Sequence, residues 1–319
     1  MSENNKPEKK KKDTPKNNAA PSDKKIYNLD TFSDQVEMFR DKLDDDTIKE
    51  LISQHITKLI ERSNLSEYRV VFLIDKHNSI SGFHSDKIYK AIPDPSQNVL
   101  MIIESGGGEI EPAYLISKTC KRLSKDKFVV SIPRRAKSAA TLISLGAKEI
   151  HMGLLSELGP IDPQFGGFPA LGLSNAVEKI AAMTEKFPKS SDMFAKYLNE
   201  NLSIRALGYY ERVNESATQY AARLLSNKNL PNGKKPEDLA DHFTNHYKDH
   251  SFVIDSDEAT TLLGQEIIKE NTQEYLLGNE IYEFLHFIEI LFDIFKEKRI
   301  RYVGSPSSGL EITNKPKEK

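Results

Sequence analysis

An α/β fold organised on a parallel sheet is what this sequence predicts, and three observations predict it. Short, uninterrupted apolar runs recur at Arg69 to Asp75, Val99 to Ile103 and Phe128 to Ile132, as strands buried on both faces of a sheet do. Helix-compatible stretches follow them at Ser79 to Ala91, Ile110 to Leu123 and Ala136 to Ala147. Strand and helix alternate in this way through Ile150, the pattern of right-handed βαβ units that set consecutive strands parallel.

Two of these strand-to-helix connections carry candidate chemistry. The run ending at Ile103 breaks into Ser105-Gly106-Gly107-Gly108. Glycine tolerates positive φ and has no Cβ, so the backbone can turn sharply and bring bare N–H groups against a ligand. The helix beginning near Ile110 would point its positive dipole end at the same place. Three glycines also serve a tight turn with no ligand, and alone they form a weak motif. The next run ends at Pro133-Arg134-Arg135 and leads into Ala136-Lys137-Ser138-Ala139-Ala140-Thr141. Ser138 then stands at a strand-to-helix elbow. A serine there commonly caps the helix. The small neighbours Ala136, Ala139 and Ala140 leave a carbonyl room to approach its oxygen, which favours a nucleophile.

Ser105-Gly106-Gly107-Gly108, the segment Ala136 to Ile143, Gly146-Ala147-Lys148-Glu149-Ile150 and Leu158-Gly159-Pro160-Ile161-Asp162-Pro163-Gln164 together resemble the serine dehydrogenase proteinase family. That family is a branch of the signal peptide peptidase A group within the Clp and crotonase superfamily. The resemblance is continuous from about Val70 to Gln164 and looser through Ala206 to Val213, His250 to Ile254 and Glu258-Ala259; it leaves out the N-terminal tail. It implies a Clp/crotonase-like spiral of ββα units with a parallel sheet. It further implies that Ser138 attacks a peptide carbonyl while Gly107 and Gly108, with Ala139 contributing a further N–H, form an oxyanion hole. Such donors are worth about 3 kcal/mol of barrier each.

The general base stays open between two arrangements. Counted from Gly146-Ala147, the position of the Clp peptidase histidine falls on Asp162, and the segment Asp249-His250-Ser251-Phe252 to Glu258-Ala259 resembles the one holding its aspartate. This implies an exchanged triad of Ser138, His250 and Asp162, because a triad is defined by geometry and roles rather than chain order. Alternatively Asp162 caps a turn before Pro163 and His250 lies at the surface. The second arrangement is a serine-lysine dyad, as in the signal peptide peptidases, which needs a desolvated lysine. Lys189 stands at a comparable spacing from Ser138, and Lys179, Lys186 and Lys196 have an equal claim. The glycine- and lysine-containing loop of those relatives is absent. Lys137, adjacent to the serine, would point away from its hydroxyl.

Composition points to an intracellular, cytoplasmic enzyme. The 319 residues, 38% of them hydrophobic, suffice for one domain of over two hundred residues with extensions. The single cysteine, Cys120, precludes an internal disulfide framework, gives no metal-ligand cluster and reads as core filler. No cofactor is expected. A formal net charge of −2 and the lack of a basic face with interleaved aromatics argue against nucleic acid, and the glycines lack the lysine and Ser/Thr spacing of a P-loop.

The expected division is a Lys-rich disordered tail over 1–26, an N-terminal helical extension over 27–66, a catalytic domain over 67–270, and a C-terminal helix and tail over 271–319. The tail has almost no apolar side chains to offset the entropy of ordering. It is not a signal peptide, since no apolar stretch follows Lys9 to Lys12. Asp30 to Arg62 carries a broken apolar stripe and reads as a helix. Ala170 to Leu225 is mostly helical with a break at Pro188, and Asn227 to Pro236 is a loop. Glu280 to Tyr302 reads as a helix apolar on more than one face. It packs on its own domain or forms the interface of a homo-oligomer; peripheral membrane contact is disfavoured by its acidic residues, and no stretch is long and apolar enough to span a bilayer.

The leading function is a serine peptidase acting on peptides or unfolded protein segments. A non-catalytic oligomeric scaffold of the same fold and an acyl-CoA or other acyl-transfer enzyme are the alternatives.

Overall fold

The computed structural model describes residues 25–165, 168–169 and 172–316. The expected disordered tail therefore lies almost wholly outside the described residues. In chain order, helices α1 (Phe32–Arg40) and α2 (Asp45–Arg62) precede β1 (Tyr68–Asp75), α3 (Gly82–Ala91), β2 (Asn98–Ser105), α4 (Ile110–Arg122) and β3 (Phe128–Ser131). The short β4 (Arg135–Ala136), α5 (Ala139–Leu145), β5 (Glu149–Met152), β6 (Glu157–Leu158), β7 (Gln164–Phe165) and β8 (Phe168–Pro169) follow. Next come α6 (Gly172–Lys186), α7 (Ser191–Asn201), α8 (Ile204–Leu225), α9 (Pro236–Asp241) and α10 (Ser256–Leu263). β9 (Ile268–Glu270), α11 (Gln273–Lys296), β10 (Lys298–Gly304) and β11 (Leu310–Asn314) complete the chain.

The main sheet runs β11-β10-β1-β2-β3-β5-β9. The five strands β1, β2, β3, β5 and β9 are parallel, and β10 and β11 close one edge antiparallel. A second, short layer forms where β4 pairs with the last residue of β2 and β6 pairs with β4. The uninterrupted apolar runs are explained by burial on both faces. Val71, Leu73, Met101, Ile103 and Val130 enter one core with α4, α5 and the second half of α8. Their alternate neighbours Val70, Phe72, Leu100, Ile102 and Val129 enter another with α1, α2 and α11. Side chains alternate across a strand, so a sheet covered on both sides favours apolar residues at successive positions.

Three elements differ from the sequence expectation. The N-terminal stretch is two helices, because Lys42 takes a left-handed φ of 54° after α1 and Asp44 then caps α2 by accepting from the Thr47 N–H at 2.9 Å. The apolar segment from Glu280 is a helix only to Lys296; Glu297 adopts φ 55° and the chain turns back as β10. The signal was the alternation Arg299-Ile300-Arg301-Tyr302, a period of two at the end of a helical pattern. The C-terminal segment is accordingly a hairpin rather than a tail: β10 pairs with β1 and β11 with β10. As for α11, Ile281, Phe284, Leu285, Ile288 and Phe292 are buried against the sheet and the N-terminal helices, with Phe39 and Phe292 edge to face at 4.9 Å. It packs on its own chain and leaves Ile290 and Ile294 exposed. Among the described residues no helix is long and apolar enough to cross a membrane.

Candidate active site

The register of the sheet sets two elbows side by side. Ser105, the last residue of β2, pairs with Ala136 of β4, and the Lys137 N–H donates to the Ser105 carbonyl at 3.1 Å. The glycine loop and the Lys137-Ser138 turn therefore leave adjacent strands at the same level. Buried Glu104 fixes this pairing by accepting from the Arg135 backbone N–H and its Nε, both at 3.0 Å. Burial pushes its carboxyl upward.

Two glycines in the loop have no substitute. Gly107 has φ 105°, and a Cβ there would lie 2.7 Å from the Ser138 Cβ. Gly108 has φ 153° and packs against Ile80, whose N–H donates to the Gly107 carbonyl at 2.8 Å and whose carbonyl accepts from the Glu109 N–H at 2.9 Å. The strand-like pairing uses the groups on either side of Gly108, so the Gly108 N–H has no protein acceptor among the described residues. Ile80 is held by the turn after β1, where buried Asp75 accepts from the His77 and Asn78 N–H groups and from His84 Nε2 at 3.3 Å. Burial raises the Asp75 carboxyl, but these bonds outweigh it and hold it below the usual range. Gly108→Ala is therefore expected to cost about 2 kcal/mol or more of stability, since its Cβ would fall 2.2 Å from the Ile80 nitrogen. Gly106→Ala, with nothing within 4 Å, should stay within about 0.5 kcal/mol of wild type. Thermal melts of the two variants check the contrast, and equal losses would contradict it.

Ser138 is the N-cap of α5, yet its side chain makes no capping bond. Its backbone sits at φ 52°, ψ −117°, a conformation costly for a residue with a Cβ. The residue is 8% exposed, and its hydroxyl bonds to no other described residue. The Ala139 N–H, first of the helix, is likewise without an acceptor among the described residues.

Asp162 and His250, 88 residues apart, are brought together: His250 Nδ1 lies 2.7 Å from Asp162 Oδ1. The second carboxylate oxygen accepts from Gln164 Nε2 at 2.6 Å. Asp162 is buried and His250 half-buried. The junction is built from the serine motif itself. Thr141 Oγ1 contacts the Ala136 carbonyl and both the N–H and the carbonyl of Gly159, fixing the approach to Asp162. Lys137 points away from the serine, as expected, and runs across Gly159, where a Cβ would meet its Cδ at 2.5 Å. Its ammonium pairs with Glu157 at 3.0 Å and donates to the Phe252 carbonyl at 2.9 Å. Beside it, Leu158 and Ile254 exchange two backbone bonds. The His250 segment is thus pinned to the strand leading toward Asp162.

A cavity of about 730 Å³ joins these parts, lined by Gly106, Gly107, Gly108, Ser138, Gln164 and His250. Its far walls come from Lys76 and His77 after β1, Glu109 and Glu111 at the head of α4, and Tyr209 and Val213 of α8. Sequence reasoning singled out none of these wall residues for the site. The structure does not bring Lys189 to Ser138: it is exposed in the turn Pro188–Ser190 and does not line the cavity. Lys179, Lys186 and Lys196 are exposed as well. Lys76, which does reach the cavity, is committed to Glu289 at 2.8 Å. One expected oxyanion donor is also engaged elsewhere, since the Gly107 N–H donates to Ser105 Oγ at 3.2 Å. Cys120 is buried in α4, with its thiol pushed up by burial.

A family model described as ClpP-like SDH-type serine proteinase matches residues 32–309. Among curated proteins, two uncharacterized proteins of Methanocaldococcus jannaschii match. One is 32% identical over 42% of this chain and 51% of its own length, the other 31% identical over 40% and 44%. The chain spans about half the length of these relatives. Among solved structures, two mutant chains of the 1510-N membrane-bound stomatin-specific protease, one in complex with a substrate peptide, are 16% identical with a TM-score of 0.41. Each covers 66% of this chain, over 84% and 78% of their own lengths.

Proposed function

The chain belongs to the ClpP-like SDH-type serine proteinases, and on that premise we propose that it hydrolyses peptide bonds with Ser138 as nucleophile, His250 as general base and Asp162 as the group that orients the base. The observation that carries the reading is the His250–Asp162 pair at 2.7 Å, opening on the same cavity as Ser138. With Nδ1–H directed at Asp162, the imidazole keeps its lone pair on Nε2, the nitrogen left for the serine proton. Ser138 Oγ attacks the carbonyl carbon of a peptide in the cavity as His250 takes its proton. The negative charge that develops on the carbonyl oxygen is met by N–H groups that have no acceptor among the described residues, those of Gly108 and Ala139. Gly107 shapes the loop and holds its N–H on Ser105. His250 then returns the proton to the leaving amine, and water hydrolyses the acyl-enzyme by the same route. No hydrogen bond joins the hydroxyl and the imidazole among the described residues, and such contacts commonly close only around substrate.

Labelling with a fluorophosphonate, which captures an activated serine, tests this reading. The label is expected on Ser138, mapped by peptide mass spectrometry, and is expected to vanish in His250→Ala while Lys189→Ala labels normally. Absence of labelling in the folded wild type would favour a non-catalytic member of the fold, and loss in Lys189→Ala would move the base to the lysine.

A further inference from the structure

The parallel strands point their C-terminal ends at Ser138, and at their N-terminal ends lies a second cavity of about 520 Å³. It is walled by the ends of α4, α5 and α8 and by the starts of β3 and β9, at the opposite end of the strands from the peptidase site. We propose that this cavity binds a small phosphate-bearing anion, with Lys228 at its base and Lys121, Lys125 and Lys148 around its mouth.

The charge arrangement carries the proposal. Five lysines line the cavity against two carboxylates, Asp126 and Glu266. Lys127 is committed to Glu149 at 3.1 Å and to the face of Tyr68, and Glu266 accepts from Asn229 at 2.9 Å. The other four lysines have no ion pair among the described residues. Three of them are exposed at the rim, and solvated lysines alone would mean little. Lys228 is different, because it reaches inward from the turn after α8 and donates to the Ala147 carbonyl just beyond α5. Burial, together with repulsion from Lys121, lowers its ammonium to about 7. A charged amine pressed into a concavity beside another cation lacks a counter-charge, and a bound phosphate supplies one. The volume exceeds a single phosphate and falls in the range of small-molecule sites, about 300–1,000 Å³. Lysines around a concave wall also raise the local concentration of anions.

Binding should take up protons, because an anion beside Lys228 favours its charged form. Calorimetric titration of the full chain with inorganic pyrophosphate near pH 7, in buffers of different ionisation heat, reads both effects. Saturable binding with net proton uptake is expected. It should weaken at least about tenfold in Lys228→Met and in the doubly substituted rim variant Lys121→Ser/Lys148→Ser, and stay unchanged in Lys179→Ser. Should Lys228→Met fold poorly, the rim variant decides. No binding at millimolar pyrophosphate, or binding that all the lysine variants share equally, overturns the proposal. Lys228 would then serve only to cap α5. Because the readout does not involve hydrolysis, this result is independent of the assignment of Ser138.

Discussion

Replacing Ser138 with glycine is expected to abolish peptide hydrolysis and to raise the melting temperature in the same variant. The two effects have one origin. At φ 52°, ψ −117° the serine occupies a backbone conformation that costs about 1–3 kcal/mol for a residue with a Cβ. Glycine removes that cost, while its extra freedom in the unfolded chain returns about 0.5–1 kcal/mol of it. The net gain is about 1 kcal/mol, which shifts the melting temperature of a protein this large by about 2 °C. Activity should fall by about 10⁴- to 10⁶-fold, the loss typical when the nucleophile of a serine hydrolase is removed. Ser138→Ala separates the two contributions: it loses the hydroxyl but retains the Cβ and its strain, so it should be equally inactive without the thermal gain. The strain persists in the native chain because its surroundings fix it. Gly107 packs against the Ser138 Cβ, the Lys137 N–H is bound to Ser105, and α5 starts at the next residue. A Ser138→Gly variant that melts below wild type would show that the serine side chain contributes more by packing than its backbone costs. One that still hydrolyses peptides would remove Ser138 from the mechanism.

Much of the Ser138 side of the candidate site was legible because it is local. Strands buried on both faces leave continuous apolar runs, and an elbow that must pass a ligand leaves small residues, so Val99 to Gly108 and Phe128 to Ala140 could be read from the sequence. The proposed partner of Ser138 was legible only as two arrangements. Asp162 and His250 meet across 88 residues through contacts with no period: the Lys137 arm crossing Gly159, the Thr141 hydroxyl on Gly159 and the Leu158–Ile254 pairing. Spacing alone gave Lys189 an equal standing, and the structure sets it in an exposed turn off the cavity. The state of an individual N–H is hidden for the same reason. Gly107 and Gly108 are indistinguishable in sequence, yet the first is bonded to Ser105 Oγ and the second is not. At the other end of the chain, Arg299-Ile300-Arg301-Tyr302 continued an apolar helix in sequence. The period of two was visible, but the edge of β1 that it joins was not.

Asp162→Asn should reduce kcat by about 10⁴-fold while leaving the fold and the melting temperature close to wild type. The substitution preserves shape, and the amide can still occupy the place between His250 and Gln164. What changes is the direction of the hydrogen bond. A carboxylate can only accept, so it holds the imidazole proton on Nδ1; an amide that turns its NH₂ to the ring accepts nothing and leaves Nδ1 as the acceptor, with the proton moved to Nε2. A histidine in that tautomer cannot take the serine proton, and exchanges of this type cost about 10⁴ in kcat. Gln164→Ala removes only the Nε2 donor to the second carboxylate oxygen, Oδ2, leaving the contact of Oδ1 to His250, and should cost about 1–3 kcal/mol, a fall of about 5- to 150-fold. His250→Ala should match Asp162→Asn or exceed it, and the double variant should lose no more than His250→Ala, because the aspartate acts only through the ring. Additive losses would mean that Asp162 and His250 act separately. Full activity in both single variants would place the base elsewhere, with Lys76, the described lysine on the cavity wall, as the next residue to replace.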